Sequence, residues 1–193
     1  MTRPAVFLDR DGVLTEPILN PKTGDYEPAK TEKDLRLCAG AIRSLKRIQD
    51  SGFLLFLVSN QPDYAKGKAT LSGLKGVQKR FDQILRKAGI RFTAYYYCYH
   101  HPNGIVKGYS YKCKCRKPKP YFILKAAKAY KTDLKNSWMI GDRDSDIECG
   151  AAAGTKTILV KEKSSAKKRG GSKPDYTAKD VVEATYIILG VKS

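Results

Sequence analysis

The sequence predicts an α/β protein of three layers, in which helices cover both faces of a mostly parallel sheet. Five short apolar runs, rich in β-branched and aromatic residues, alternate along the chain with longer segments of helical spacing. Strands separated by helices need crossover connections, which make the strands parallel and place the helices against the sheet. A length of 193 residues suits one domain with a single core, so we assign residues 1–193 to one domain.

The predicted strands are bounded by polar or turn residues and are nearly continuous in apolar character, as expected for strands buried on both faces. They cover 5–9, 53–60, 94–99, 137–142 and 155–160.

The predicted helices carry apolar residues three and four positions apart and end near glycine or begin after proline. They cover 41–52, 71–89, 121–133 and 179–190. The segment 161–174 has no apolar period, many lysines and two adjacent glycines, which predicts a mobile basic surface loop. Between Gly12 and Phe53 there is room for a flap and one helix, but not for a large cap domain.

The amino-acid composition narrows the class of protein but does not indicate one function. Lys and Arg number 37 against 19 Asp and Glu, a net charge of +18 that attracts polyanions in general. High lysine content also serves solubility, so nucleic-acid binding is not favoured as the main function. The N-terminal residues lack a signal-peptide pattern and no run of about 18 apolar residues occurs, so we expect a cytoplasmic monomer with no membrane partner.

Acidic and hydroxyl side chains follow the predicted strands. The first strand ends in DRDG, the second in SNQ and the fourth in GDRDSD. The carboxyl ends of parallel strands lie at one edge of the sheet, where functional groups collect. Clustered carboxylates repel one another unless a cation lies between them, which predicts a hard metal such as Mg²⁺. The residues expected to converge are Asp9, Asp11, Ser59, Asp142 and Asp146.

Four segments in this order, FLDRDGVL, VSNQ, RKPKP and MIGDRDSD, resemble the motifs of the haloacid dehalogenase superfamily of phosphohydrolases. The resemblance spans roughly residues 5 to 160. It implies a Rossmann-like α/β/α fold with a minimal cap, and a Mg²⁺-dependent phosphatase that cleaves phosphomonoesters through an aspartyl-phosphate intermediate.

The resemblance also implies roles for individual residues. Asp9 would be the nucleophile, and Asp11 would protonate the leaving group and then deprotonate water, a role that needs a raised pKa. Ser59 would hydrogen-bond a phosphoryl oxygen. Lys117 would neutralise charge on the phosphoryl group, with Lys119 as its rival because both lysines flank the same proline.

The implied Mg²⁺ ligands are Asp9, the main-chain carbonyl of Asp11, and Asp142. Asp146 would support the metal's outer shell or Lys117.

Three of the five cysteines and both histidines lie between residues 98 and 115. A C-x-H pair and a C-x-C pair supply four ligands, enough for a tetrahedral structural Zn²⁺ site in a zinc-binding loop 98–115. The proposed ligands are Cys98, His100, Cys113 and Cys115. His101 is an alternative ligand, and Cys38 and Cys149 are predicted to be packing residues.

The run C-x-H…C-x-C-R-K-P-K-P resembles the zinc-bearing loop of D-glycero-D-manno-heptose 1,7-bisphosphate 7-phosphatases and of histidinol-phosphate phosphatases. The heptose enzymes carry T-N-Q-S-G-I-A-R-G, and this chain reads SNQPDYAKG, so Pro62 and Asp63 replace the Ser-Gly pair. The remaining matches favour a small phosphorylated sugar as substrate. Side chains expected to contact it are Asn60 and Gln61 at sugar hydroxyls, and Arg116 and Arg143 at phosphate or the distal anionic end.

Three alternatives stay open from the sequence. Histidinol phosphate is one substrate, and a polynucleotide 3′-phosphate is another, because an uncapped basic site suits DNA ends. A zinc-containing nucleic-acid-binding module without catalysis is a hypothesis from a different class.

Overall fold

The computed structural model describes residues 2–191. The strands are β1 Ala5–Leu8, β2 Ile18–Leu19, β3 Tyr26–Glu27, β4 Leu54–Asn60, β5 Ala94–Cys98, β6 Trp138–Gly141, β7 Lys156–Val160 and β8 Tyr176–Ala178. The α-helices are α1 Ala41–Asp50, α2 Leu71–Lys87, α3 Tyr121–Tyr130, α4 Asp144–Ala153 and α5 Val181–Leu189. Short 3₁₀ helices lie at Glu32–Asp34, Leu134–Asn136 and Lys163–Lys168.

Six strands form one parallel sheet in the order β5-β4-β1-β6-β7-β8. β1 lies between β4 and β6, with Leu8 beside Leu57 on one side and beside Ile140 on the other. The chain therefore changes direction across the sheet at β1, and a crevice opens beyond the carboxyl ends of these three strands. The predicted parallel α/β class is confirmed.

The alternation of side chains along β1 divides the core into two layers. Val6 and Leu8 point to the face covered by α1, α2 and α5, and Ala5 and Phe7 point to the face covered by α3 and α4. All four β1 residues are buried because both faces are covered. This arrangement is the predicted three-layer fold.

A short antiparallel hairpin, β2 with β3, forms the flap that the sequence allowed between β1 and α1. Asp25, Tyr26, Glu27 and Pro28 from this hairpin line the cleft beyond β1.

Helix α4 and strand β8 were not predicted. The α4 sequence DSDIECGAAA has no clear apolar stripe, so its pattern does not indicate a helix. The helix begins with Asp144 and Asp146 in the first turn, where acidic groups complement the helix dipole, and ends at Gly154 in the left-handed conformation.

The segment 161–174 is anchored at several points, whereas the sequence indicated no regular structure there. It contains the 3₁₀ helix Lys163–Lys168, in which Ser165 is buried and its hydroxyl donates to the main-chain oxygen of Asp142 at 3.0 Å. Further along, the main-chain N–H groups of Gly171 and Ser172 donate to the Asp144 carboxylate. These contacts bring the basic segment to the edge of the cleft, and its mobility stays a prediction.

Within residues 2–191, none of the helices is both long enough and apolar enough to span a lipid bilayer.

Candidate active site and zinc site

The candidate active site lies where β1, β4 and β6 end. Asp9 follows β1, Ser59 lies at the end of β4, and Asp142 follows β6. The main-chain N–H of Asp9 donates to the carbonyl of Ile140 at 3.0 Å, which ties the start of the DRDG loop to β6. Residues 9 and 142 therefore meet although they are far apart in the chain.

Lys117 lies at the centre of this cluster and is 3% exposed. Its Nζ lies 2.6 Å from Asp146 Oδ1 and 2.9 Å from Asp9 Oδ1, and it donates to the carbonyl of Val58 at 2.6 Å. Lys119 Nζ instead donates to the carbonyl of Cys113 at 2.9 Å. Of the two rival lysines, the structure places Lys117 against Asp9.

The charges around Asp9 favour its ionised form. Burial raises the pKa of the Asp9 carboxyl, but the positive charges of Lys117 and Arg143 outweigh burial and hold that pKa below its usual value. Burial lowers the pKa of the Lys117 ammonium, but the negative charges of Asp146 and Asp9 outweigh burial and raise that pKa. The pair is therefore charged on both sides at neutral pH.

Asp9, Asp142 and Asp146 offer carboxylate oxygens that all lie within 4.8 Å of one another. Asp142 Oδ1 is buried and has no hydrogen-bond partner among the described residues. Burial, followed by the charges of Asp146 and Asp9, raises the pKa of Asp142 to about 7. Mutual repulsion of these buried carboxylates favours a bound cation, and their hard oxygen ligands fit Mg²⁺. Both oxygens of Asp146 are engaged, Oδ1 by Lys117 and Oδ2 by the main-chain N–H of Arg143 at 3.1 Å, so Asp9 and Asp142 are the side chains best placed to hold the ion.

The close approach of the DRDG loop to Asp142 depends on Gly12. Gly12 has a φ of 86°, and a Cβ atom there would lie 2.5 Å from Asp142 Oδ2. No larger residue fits without displacing the carboxylate.

Asp142→Asn should stabilise the Mg²⁺-free protein, and more so at pH 8 than at pH 5. The pKa of Asp142 is raised to about 7 in the folded protein, from about 3.9 in the unfolded chain. The folded protein thus binds the extra proton, so Asp142 costs stability progressively as pH rises through this window. We expect melting temperatures of the variant and of the unaltered protein to differ by several degrees at pH 8, on the order of 4 °C, and by less at pH 5.

Mg²⁺ should raise the melting temperature of the unaltered protein at pH 8 but not that of Asp142→Asn. Equal melting temperatures for the two proteins at both pH values, without Mg²⁺, would contradict the prediction.

The Asp11 carboxylate is held by a buried network behind Asp9. Arg10, 1% exposed, donates to Asp11 through Nε at 3.0 Å and Nη2 at 3.1 Å, and Thr15 Oγ1 donates at 3.0 Å. Gln61 Nε2 donates to the same carboxylate at 2.6 Å. The network fixes the orientation of Asp11, whose part in proton transfer stays a prediction. Arg10 was not singled out from the sequence, since a charged residue is seldom expected to be fully buried.

Gln61 and Asn60 differ in whether the expected contacts with sugar hydroxyls are open to them. Gln61 is buried, and its amide group is engaged by Arg10, Asp11 and Ser59. Asn60 uses one amide N–H and its amide oxygen for two bonds of 3.1 Å with the main chain of Lys117, yet it also lines the cleft. Burial therefore keeps Gln61 from the substrate, whereas the contact expected of Asn60 stays a prediction.

The two arginines lie at different depths. Arg143 lines the cleft, with its Nε 3.7 Å from Asp142 Oδ2. Arg116 is partly buried, and its Nη1 donates to the carbonyl of His100 at 3.4 Å, which holds it against the zinc-binding loop. Additional cations at the cleft come from residues that the sequence did not single out as site residues: Lys66, Lys68, Lys167 and Lys168.

The four predicted zinc ligands come together in one cluster. The Sγ atoms of Cys98, Cys113 and Cys115 are separated by 3.4 to 3.5 Å, and His100 Nδ1 lies 3.5 Å from Cys115 Sγ and 3.7 Å from Cys98 Sγ. Zn–S bonds of about 2.3 Å in a tetrahedron separate sulfur atoms by about 3.8 Å, so the four side chains are compatible with structural Zn²⁺.

His101 lies outside this cluster, since its Nδ1 accepts from the N–H of Asn103 at 3.1 Å. Tyr111 Oη lies 3.0 Å from His100 Nε2, which leaves Nδ1 as the metal-facing nitrogen. Cys149 is buried in the core layer beneath α3 and α4, and Cys38 packs against the layer on the opposite face of the sheet. Both are packing residues, as predicted.

The zinc-binding loop contacts the cleft from two directions. At its end it leads directly into Arg116 and Lys117. At its tip, the N–H groups of Ile105 and Val106 donate to the carbonyl of Ala65 at 2.7 and 3.1 Å. A Cβ atom at Gly104 would lie 2.7 Å from that same carbonyl, so this contact needs glycine. The loop therefore fixes both Lys117 and the segment after β4.

Cys115→Ser should abolish zinc binding and lower kcat/KM by about tenfold or more, because Lys117 and the Ala65 segment lose a common anchor. Zinc content by elemental analysis and the melting temperature are measured beside activity. Cys38→Ser is the matched control and should keep zinc, stability and activity. A zinc-free Cys115→Ser protein with unchanged stability and kcat/KM would contradict this prediction.

The fold and the acidic site define a class, a phosphatase built on a Rossmann-like α/β/α fold with carboxylates at the strand ends. The family model described as HAD-hydrolase-like matches residues 114–184. The chain is 32% identical to the D-glycero-β-D-manno-heptose-1,7-bisphosphate 7-phosphatase of Vibrio cholerae, over 100% of both proteins. It is also 32% identical to the enzyme of the same name from Pasteurella multocida, over 99% of this chain and 100% of the relative.

Solved structures agree on the fold. A D,D-heptose 1,7-bisphosphate phosphatase from B. bronchiseptica, complexed with magnesium and phosphate, superposes with a TM-score of 0.81 at 24% identity, covering 97% of this chain and 98% of that one. A HAD-like phosphatase from Mesorhizobium loti gives 0.79 at 23% identity, covering 98% and 85%. The chain belongs to the haloacid dehalogenase-like hydrolases, in the branch that contains the heptose bisphosphate 7-phosphatases it resembles.

Proposed function

We propose that this phosphatase removes the 7-phosphate of D-glycero-β-D-manno-heptose 1,7-bisphosphate with Mg²⁺ bound at Asp9 and Asp142. The observation that carries the proposal is the meeting of Asp9, Asp142 and Lys117 at one edge of the sheet. The full-length similarity to enzymes of that name supports the sugar and its anomer.

Asp9 is the nucleophile in this proposal. Its pKa is lowered, so the carboxylate is ionised and attacks phosphorus, forming a new O–P bond while the bond to the sugar oxygen breaks. Lys117 faces Asp9 and neutralises negative charge in the transition state. Asp9 and Asp142 would hold Mg²⁺, which would supply a second positive charge to the site.

Asp11 completes the proton transfers. In this proposal Asp11 enters the cycle protonated and gives that proton to the departing sugar oxygen. The resulting carboxylate later takes a proton from the water that breaks the aspartyl–phosphate bond and releases phosphate. Ser59 lies beside it, and Gln61 Nε2 donates to the Ser59 oxygen at 3.0 Å. The serine hydroxyl proton is therefore free to point at a phosphoryl oxygen.

Zinc in this proposal is architectural and takes no part in the chemistry. One chain supplies every side chain that this proposal uses. None of the five cysteines is in a disulfide, which supports an active protein in a reducing compartment such as the cytoplasm.

The test is phosphate release by the purified protein, with and without Mg²⁺, from heptose bisphosphate, histidinol phosphate and a 3′-phosphorylated oligonucleotide. We expect Mg²⁺-dependent release from heptose bisphosphate with a kcat/KM at least about tenfold above the others. Faster turnover of histidinol phosphate or of the oligonucleotide would overturn the proposed substrate, and release from none of them in Mg²⁺ would overturn the proposed chemistry.

A further inference from the structure

Three carboxylate oxygens are buried without a hydrogen bond among the described residues, and they belong to Asp9, Asp142 and Asp63. The oxygen of Asp9 faces the ammonium of Lys117, and the oxygen of Asp142 belongs to the proposed Mg²⁺ site. Asp63 lies outside that site, and nothing in the proposed mechanism uses it. It is 7% exposed and lines the same cleft as Asp9 and Lys117.

The main chain around Asp63 is held firmly. Its carbonyl accepts from the N–H groups of Lys68 at 2.8 Å and Ala69 at 3.2 Å. Two residues further on, the carbonyl of Ala65 is bound by the tip of the zinc-binding loop. The Asp63 side chain is thus presented to the cleft from a fixed turn, and the broad torsion of its carboxyl group lets either oxygen turn toward the cleft.

The charged groups near Asp63 are three lysines and Glu27, and none of them hydrogen-bonds Oδ2. Burial and the negative charge of Glu27 raise the pKa of Asp63, while Lys30, Lys68 and Lys66 oppose that rise. On the facing flap, Glu27 also lines the cleft, but its oxygens are taken by Lys30 and Lys68. Burial of the Asp63 carboxylate therefore has a free-energy cost that no hydrogen-bond donor among the described residues offsets at Oδ2.

A ligand group that offsets this cost must be a hydrogen-bond donor. A second phosphate has no donor when ionised and would be repelled by the carboxylate. A cationic ligand group would be repelled by the surrounding lysines. A neutral hydroxyl satisfies both conditions, and hydroxyls are what the alcohol part of a sugar phosphate offers.

We propose that Asp63 determines specificity for phosphorylated polyols, by accepting a hydrogen bond from a hydroxyl group on the alcohol part of the substrate. This inference rests on the proposed phosphomonoesterase function and identifies the class of alcohol recognised. Asp63 belongs to the Pro62-Asp63 pair of this chain, at the position where the motif of the heptose enzymes has Ser-Gly.

The experiment compares sorbitol 6-phosphate with hexyl phosphate, two six-carbon esters that differ in hydroxyl groups. For the unaltered enzyme we expect kcat/KM to be higher for the sorbitol ester. Asp63→Ala should lower that ratio by about tenfold or more, mainly through KM, because a charge-assisted hydrogen bond is lost. Asp63→Asn, which keeps a carbonyl oxygen, should retain part of the ratio. The control Asp50→Asn, at an exposed carboxylate outside the cleft, should keep the ratio of the unaltered enzyme.

Stability distinguishes recognition from a structural role. Removing an unsatisfied buried carboxylate should leave the melting temperature of Asp63→Ala unchanged or higher. A lower melting temperature with equal loss on both esters would assign Asp63 to structure and overturn the inference, as would an unaltered enzyme without preference for the sorbitol ester. If that preference depends on Asp63 but heptose bisphosphate is not hydrolysed, the proposed substrate fails and the inference stands. If heptose bisphosphate is hydrolysed but neither ester is, the inference fails and the proposed function stands.

Discussion

Asp9→Asn should lower kcat by about 10⁴-fold or more while the protein stays folded. The substitution removes the atom that attacks phosphorus and keeps the shape of a fully buried side chain. The asparagine amide also meets Lys117 without a negative charge, so the electrostatic pairing at 2.9 Å is lost together with the nucleophile. Initial rates of phosphate release at saturating Mg²⁺ measure the loss.

A covalent adduct gives a second readout for Asp9. Acid-quenched unaltered enzyme should carry a hydroxylamine-sensitive phosphoryl group, and the Asp9→Asn variant should carry none. Asp50→Asn, at an exposed carboxylate that pairs only with Lys46, is the control and should keep full activity. An Asp9→Asn protein with more than about a hundredth of the original rate would rule out Asp9 as nucleophile.

Lys117→Met should be the most damaging substitution for stability, by about 3–5 kcal/mol, because it leaves two buried carboxylates without their cation. Asp9 and Asp146 both lie within 3 Å of the Lys117 ammonium, and none of the three side chains is accessible enough for water to replace it. Activity should fall by about 10³-fold, since the transition state loses a fixed positive charge. Chemical denaturation and phosphate release measure the two effects.

Lys119→Met is the matched control, two residues away across the same proline. Its ammonium contacts a main-chain carbonyl of the zinc-binding loop, so its loss should cost less than about 1 kcal/mol and leave kcat nearly unchanged. Adding Asp146→Asn to Lys117→Met should restore part of the stability, because one unpaired charge is removed. Equal effects of the two lysine substitutions would show that the ion-pair cluster does not depend on Lys117.

Much of the fold could be predicted from the sequence because it follows from local patterns. The buried strands are short apolar runs, α1 and α2 show clear apolar stripes, and the acidic residues directly follow β1 and β6. The zinc ligands could be predicted for a similar reason, since two short pairs of soft ligands close together in the chain have few other uses. Helix α4 escaped prediction because its small and polar residues carry no such stripe.

The role of every polar side chain in the site could not be predicted, because some of these roles depend on contacts between segments that are distant in the sequence. Gln61 was expected to face the sugar, but the tertiary structure buries it between Arg10 and Ser59. Asn60 lines the cleft, and its amide also bonds to the main chain of Lys117, 57 residues away.

The sequence by itself determined the parallel α/β sheet, the carboxylates at its strand ends and the ligands of the zinc cluster, because periodicity and spacing are local properties of the chain. Only the tertiary structure decided that Lys117 and not Lys119 meets Asp9, and that Asp146 pairs with that lysine. It also decided that one buried oxygen of Asp63 has no donor within residues 2–191. Those outcomes depend on which donors and acceptors packing brings within about 3 Å, and residues distant in sequence supply them.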